Sequence, residues 1–185
     1  MSDSLSEKTL DSKLIYDGRV VHLYLDTVQL PNGNSAKREI VRHPGAVAVV
    51  PLDADGNVIL VSQYRHAAGR VLPEIPAGTL NPGEDPDVCA VRELQEEIGQ
   101  KPGKLQKLEG IYLAPGYSTE YIHLYLATKL VESRLHMDED EFIEVSRLSI
   151  DEVIRRIQTG EIADAKTISA IMMVRSLPAR WKKGR

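Results

Sequence analysis

The sequence predicts an α+β fold: a mixed sheet with helices on both faces, preceded by a small antiparallel sheet. Three observations predict it. Val47–Leu52 and Val58–Gln63 are near-continuous apolar runs, the pattern of strands buried on both faces. Asp85–Gly99 carries the punctuation of a helix. Before residue 44 the chain instead alternates apolar and polar residues around a strong turn. The 185 residues suit one main domain, residues 44–185, with an appendage, residues 1–43.

In chain order, residues 1–12 are polar and read as frayed. Val20–Leu30 alternates like a strand with Val21, Leu23 and Leu25 on one side, then slips to Val28 and Leu30, which predicts a bulge near Asp26-Thr27. Pro31-Asn32-Gly33-Asn34 is a hairpin turn, and Lys37–His43 returns as the next strand. A sheet this small is marginal alone and must pack on something. Asp53-Ala54-Asp55-Gly56 predicts a hairpin between the two apolar strands, and Glu74-Ile75-Pro76-Ala77 leads into a Gly-rich loop.

In the helix that follows, Asp85 is the N-cap, Pro86 the first residue, and Gly99 closes the end in a left-handed conformation. Val88, Val91, Leu94 and Ile98 form an apolar stripe, with Glu93, Glu96 and Glu97 on the roughly opposite side. Leu108–Leu113 reads as a strand, Ala114–Glu120 as a polar loop, and Tyr121–Leu126 as a strand with Ile122, Leu124 and Leu126 on one face. A long connection over 128–140 ends in Asp138-Glu139-Asp140-Glu141, and Phe142–Val145 is a short strand. Ser149 and Glu152 form a capping box for a helix closed by Gly160. Asp164 caps a last helix, where Met172 and Met173 read as core, and a basic tail from Arg180 to Arg185 ends the chain.

Composition excludes several classes of function. A net charge of −4 invites neither a nucleic acid backbone nor an anionic membrane. The longest apolar run, Ala46–Leu52, is too short to span a bilayer, and the polar start is not a signal peptide. The single cysteine, Cys89, precludes an internal disulfide, fits a reducing cytoplasm, and reads as packing.

The chemistry concentrates between Glu84 and Glu97, where six acids (Glu84, Asp85, Asp87, Glu93, Glu96, Glu97) face one base, Arg92. Like charges at helical spacing repel by roughly 0.2–0.5 kcal/mol per exposed pair, so a cation is the natural reason to gather them. Clustered oxygen donors suit hard ions such as Mg²⁺ or Mn²⁺. A solvated acidic face is the competing reading.

The spacing Gly78, five residues, Glu84, seven residues, Arg92-Glu93-Leu94, one residue, Glu96-Glu97, one residue, Gly99 resembles the signature of the Nudix hydrolases. One departure is Gln100, where that family usually has an aliphatic residue. The resemblance implies an α/β/α sandwich, hydrolysis of a diphosphate, and two or three Mg²⁺ ions per site, with Mn²⁺ substituting. It implies Glu93, Glu96, Glu97 and the Ala77 carbonyl as metal ligands, with Gly78, Glu84, Arg92 and Gly99 structural. Within the family the chain is similar to ADP-ribose pyrophosphatases, in which an N-terminal sheet packs across a homodimer. Pro115, sixteen residues beyond Gly99, resembles that subfamily's mark, with Gly116 beside it. Arg42 and Arg65 align with arginines that hold the diphosphate. Glu141, then Glu139, match the general base or extra metal ligand on a loop before a strand, alongside Glu97 among the catalytic candidates. The expected substrate is therefore ADP-ribose, cleaved to AMP and ribose 5-phosphate. Another nucleoside diphosphate sugar such as GDP-mannose is the first rival, and a non-catalytic nucleotide-binding module the second.

Overall fold

A computed structural model describes residues 3–136 and 142–177. Asp138–Glu141, including the candidates Glu139 and Glu141, and the basic tail from Arg180 lie outside the described residues. The chain divides into two units, the first holding the described residues up to Gly45 together with Tyr112–Tyr121, the second the remainder.

The first unit is a three-stranded antiparallel sheet in the order β1 (Lys8–Asp17), β2 (His22–Gln29), β3 (Ser35–Arg42). The Pro31–Asn34 turn joins β2 to β3, with Gly33 at φ 86° donating its N–H to the Leu30 carbonyl. Strand β1 corrects the expectation of a frayed terminus. Its residues are exposed along the whole strand, so no burial alternation marks it in the sequence. The bulge expected near Asp26-Thr27 is also corrected. Strand β2 pairs with β3 in unbroken register, and the irregularities lie in β1, between Thr9 and Asp11 and between Leu14 and Tyr16. Asp26 explains the misreading: it occupies a buried position in line with Val28, and accepts a 2.5 Å hydrogen bond from the Ser12 hydroxyl. A polar residue on the inward face of a strand mimics a slip of phase.

The second unit contains two sheets. One runs β7 (Ala77–Thr79), β4 (Ala46–Pro51), β10 (Tyr121–Glu132), β8 (Gln100–Lys107), with β4 and β10 parallel and the outer pairs antiparallel. The other is antiparallel, in the order β11 (Glu144–Leu148), β5 (Val58–Arg65), β6 (Arg70–Glu74). A two-residue strand β9 (Ile111–Tyr112) lies between β8 and β10 in the chain. Strands β4 and β5 do not form the expected hairpin ladder: beyond the bridge Leu52 to Val58, each pairs within its own sheet. The Asp53 turn between them is as tight as expected, its carboxylate accepting from the amides of Asp55 and Asn57.

The helices are α1 (Pro86–Glu97), α2 (Ile150–Gln158) and α3 (Ala165–Ser176). Alternate strand residues sort onto two cores. Ala48, Val50, Leu60, Ile122, Leu124 and Leu126 pack with Val153 of α2 and Ala170, Ile171 and Val174 of α3. Val47, Val49, Ile59, Val61, Tyr125 and Ala127 pack with Cys89, Ala90 and Leu94 of α1. Strands apolar on both faces thus carry a helix layer on each side, which is the mixed sheet covered by helices read from the sequence. The caps match as well, since Ser149 accepts from the Glu152 amide at 3.2 Å and Asp164 from the Thr167 amide at 2.9 Å.

Three boundaries differ from expectation. Strand β8 starts at Gln100, immediately after Gly99, and passes through Pro102 opposite Leu130. Strand β10 continues to Glu132 where a loop from residue 128 is expected. Strand β11 starts at Glu144, leaving Phe142 exposed. Met173 packs against the core, whereas Met172 is half-exposed. Among the described residues no helix is long and apolar enough to cross a membrane.

Candidate active site

Helix α1 positions most of the candidate residues. Asp85 caps it through a 2.8 Å bond from the Asp87 amide, Pro86 is its first residue, and Gly99 at φ 68° turns the chain off its end. A side chain at Gly99 would also meet the Arg134 guanidinium at 2.9 Å. The buried face of α1 differs from the stripe read in the sequence. Val88 is 61% exposed, while Cys89, Ala90, Glu93, Leu94 and Glu97 are buried. Glu93 and Glu97, at 8% and 5% exposure, therefore lie within the buried arc and not opposite it. Apolar periodicity misses this because the two carboxylates stand where apolar residues would otherwise be.

Arg92 is the hub of the cluster. Its Nε and Nη2 donate to both oxygens of Glu84, at 2.9 and 3.1 Å, and its Nη1 reaches Glu96 at 2.8 Å and Glu93 at 2.6 Å. Glu84 also accepts from the Asn81 amide at 2.9 Å, which ties the Gly-rich loop to the helix. The Arg92 hydrogen bonds hold the Glu84 carboxyl at about 2, well below its ordinary range. Bonding to Glu84 in turn pushes the Arg92 guanidinium above its usual value. Cys89 is buried and free, and burial raises its thiol to about 12, as suits a packing residue. Tyr125, buried across from α1, donates its hydroxyl to Asp87 at 2.7 Å.

Strand β7 supplies the facing wall. The Ala77 amide donates to Glu97 at 3.2 Å. A Cβ on Gly78 would overlap Glu93, with 1.9 Å to Oε1 and 2.0 Å to Cδ, so only glycine leaves room for that carboxylate. The donor set fits a hard divalent cation. It consists of clustered carboxylate oxygens, two of the carboxylates (Glu93 and Glu97) are buried, and three acids (Glu84, Glu93, Glu96) share Arg92 as a direct cationic partner. Burying carboxylates on those terms is costly without a compensating charge. Among the described residues no three acidic, histidine or cysteine side chains converge on a single point, and Arg92 is paired with both Glu93 and Glu96. A cation held by Glu93 and Glu96 would share their oxygens with Arg92.

Arg65, at the end of β5, lies in the same unit. Its Nε and Nη2 donate to the two oxygens of Glu74, both at 2.8 Å. These bonds raise its pKa, to which the nearby Glu97 also contributes. Glu74, Lys166, Asp164 and Thr167 form a hydrogen-bonded network with it; the sequence reading gives none of them a role in the site, naming Glu74 only ahead of the Gly-rich loop and Asp164 only as a helix cap. A legible trace exists for one of them, since Lys166 shares a helical face with the buried Ala170 and Val174.

The remaining candidates belong to the first unit. Arg42 lies over the Tyr24 ring at 3.7 Å and donates to Ser12 at 2.7 Å. Pro115 and Gly116 form a turn in which the Tyr117 and Ser118 amides donate to the Ala114 carbonyl. That turn is fastened to β3 on either side of Arg42: the Val41 amide donates to the Tyr117 carbonyl at 2.7 Å, and the His43 amide to the Thr119 hydroxyl at 2.9 Å. Arg42, Pro115 and Gly116 are thereby brought together, although far apart in the chain.

The NUDIX domain family model matches residues 42–171, and the model of the nucleoside diphosphate sugar hydrolase N-terminal domain matches residues 7–41. This chain belongs to the NUDIX family. Among curated NUDIX-like relatives, an ADP-ribose pyrophosphatase from Bacillus subtilis (strain 168) is 44% identical over 170 residues, covering 91% of this chain and 92% of that protein. A methanol dehydrogenase activator from Bacillus methanolicus is also 44% identical, over 173 residues, covering 92% and 94%. A solved structure described as an ADP compounds hydrolase superposes with a TM-score of 0.85 at 26% identity, over 99% of this chain and 98% of that one. The Gly78–Gly99 cluster lies within the residues that the NUDIX model matches.

Proposed function

We propose that the protein hydrolyses the diphosphate bond of ADP-ribose to AMP and ribose 5-phosphate with Mg²⁺, Mn²⁺ substituting. The observation that carries the reaction class is the NUDIX box with its carboxylates clustered on α1. The substrate assignment is supported by the pyrophosphatase relative and by the first unit's match to the sugar hydrolase N-terminal domain. Glu93, Glu96, Glu97 and the Ala77 carbonyl would hold the metal. When bound, a divalent ion neutralises phosphoryl charge and makes a coordinated water acidic.

The chain's own residues supply orientation. Arg92, bonded to Glu84, Glu93 and Glu96, fixes the carboxylates relative to the helix. Gly78 leaves space for the Glu93 carboxylate. Arg65 presents a fixed guanidinium to the diphosphate, and in the first unit Arg42 and Tyr24 offer a cation and an aromatic face. Glu141, with Glu139 as the second choice, is proposed as general base on resemblance alone. It takes a proton from water as the water oxygen bonds to one phosphorus and the bridging P–O bond breaks.

A homodimer accompanies this reading. Strand β1 is an edge strand exposed throughout, and Leu10, Leu14, Ile15, Tyr16, Val20 and Val21 are all exposed. A contiguous run of this kind on a sheet edge invites a partner, and a second copy is the one proposed. The cytoplasm is the proposed compartment. The function is tested by a substrate panel of ADP-ribose, GDP-mannose, NADH and a dinucleoside polyphosphate with Mg²⁺. ADP-ribose is expected to give the highest kcat/KM with AMP released, and preference for GDP-mannose with GMP released would overturn the substrate.

A further inference from the structure

Glu74 ends β6 with 1% of its surface exposed, and both of its oxygens are occupied. Arg65 takes one with Nε and the other with Nη2, and Lys166 donates to the latter at 2.5 Å. Burial alone would push the Glu74 carboxyl up, but its Arg65 hydrogen bonds and the Lys166 charge hold it below its ordinary value. Lys166 also donates to Asp164 at 3.0 Å, and Asp164 accepts from the Thr167 hydroxyl at 2.6 Å. That hydroxyl in turn accepts from the Ile75 amide at 2.9 Å, next to Glu74.

Lys166 is misplaced as a stabilising residue. It is 9% exposed and stands in the first turn of α3, where the helix dipole opposes a cation. It shares its face with Ala170 and Val174, so an apolar side chain would pack there. Replacing a whole buried ion pair by apolar residues of similar size is often neutral or stabilising, so the fold alone does not require ionic partners at this position. The charge therefore calls for another explanation, and the local balance supplies one. Arg65 and Lys166 offset Glu74 and Asp164, two charges against two. Without Lys166, the cluster would carry one net negative charge with Arg65 itself included. Arg65 keeps its Nη1 edge without a partner among the described residues, and its side chain is 40% exposed.

We propose that Lys166 is a positioning residue for the diphosphate. By taking a share of Glu74 and of Asp164, it leaves the outward edge of Arg65 with an effective positive charge toward an anionic ligand. The inference rests on the reading of Arg65 as diphosphate-binding. No contact between Lys166 and the substrate is required.

The test compares Lys166→Met, Lys166→Arg, Arg65→Met and the Lys166→Met/Arg65→Met double variant. It reads KM and kcat for ADP-ribose, Mn²⁺ affinity, and thermal midpoint. Lys166→Met is expected to raise KM about tenfold, equivalent to about 1.4 kcal/mol. Its kcat and Mn²⁺ affinity should change little, while its thermal midpoint should fall because Asp164 loses its cationic partner, so activity is read well below that midpoint. Lys166→Arg should recover most of the KM, and Lys166→Met should add nothing once Arg65 is Met. If Arg65→Met raises KM and Lys166→Met does not, the inference fails while the Arg65 reading stands. If Arg65→Met leaves KM unchanged, both fail. A fall in thermal midpoint that carries activity down with it, unrescued by arginine, would make Lys166 structural and also overturn the proposal.

Discussion

One methyl group at position 78 would probe the geometry of the box without touching a charged residue. In Gly78→Ala the new Cβ would lie 1.9 Å from Glu93 Oε1, against the 3.4 Å at which ordinary contact begins, so the carboxylate must retreat by about 1.5 Å. The backbone does not resist the change, because Gly78 lies in β7 and is absent from the glycines with positive φ. Reduced freedom of the unfolded chain would contribute about 0.4–1 kcal/mol in favour of alanine. Overpacking a buried carboxylate would cost about 1–3 kcal/mol, leaving a modest net destabilisation. The effect on function is larger. Displacing a group by about 1 Å can cost on the order of a hundredfold in rate, and disturbing a metal ligand's surroundings about 10–100-fold in metal affinity. The assay is kcat against Mg²⁺ concentration, with Mn²⁺ binding by electron paramagnetic resonance and a thermal melt as control. A folded Gly78→Ala enzyme with wild-type metal affinity and turnover would refute the claim that Glu93 must occupy that space to work.

Two further outcomes follow from the geometry. The folded Glu84 carboxyl, at about 2, lies below its ordinary 4.5. Its contribution to stability is therefore present above pH 4.5 and lost as pH falls toward 2. The difference in thermal midpoint between wild type and Glu84→Gln should shrink across that window, and a constant difference would contradict the pairing with Arg92. Removing residues 1–43 deletes the exposed Leu10, Leu14, Ile15, Tyr16, Val20 and Val21 together with the Val41 bonds to the 112–121 segment. Sedimentation should then report a monomer with raised KM, and a persistent dimer would place the interface elsewhere.

Much of the fold is legible in the residues because it is written locally. Asp85, Pro86 and Gly99 delimit α1 by capping chemistry, and Ser149, Gly160 and Asp164 do the same for α2 and α3. The central strands announce themselves by being apolar on both faces. What escapes is non-local. Strand β1 is ordered by its ladder to β2, with little burial of its own to leave a pattern. The partner choice of β4, which joins β10 far along the chain, cannot be seen in a turn that looks like a hairpin. In the site, the box spacing identifies the carboxylates but misplaces them. Glu93 and Glu97 replace apolar residues on the buried arc, and a moment drawn through Val88 and Val91 points away from it. Glu74 and Lys166 meet only through the packing of α3 on the sheet.

The central claim is that the carboxylates of α1 hold the metal on which turnover depends. Glu97→Gln tests it most directly, since glutamine keeps the shape and the hydrogen bond from the Ala77 amide while removing the charge. The account predicts an intact thermal melt, a weakened Mn²⁺ signal, and kcat for ADP-ribose lower by orders of magnitude. Near-normal turnover in Mg²⁺ with unchanged Mn²⁺ binding would contradict it.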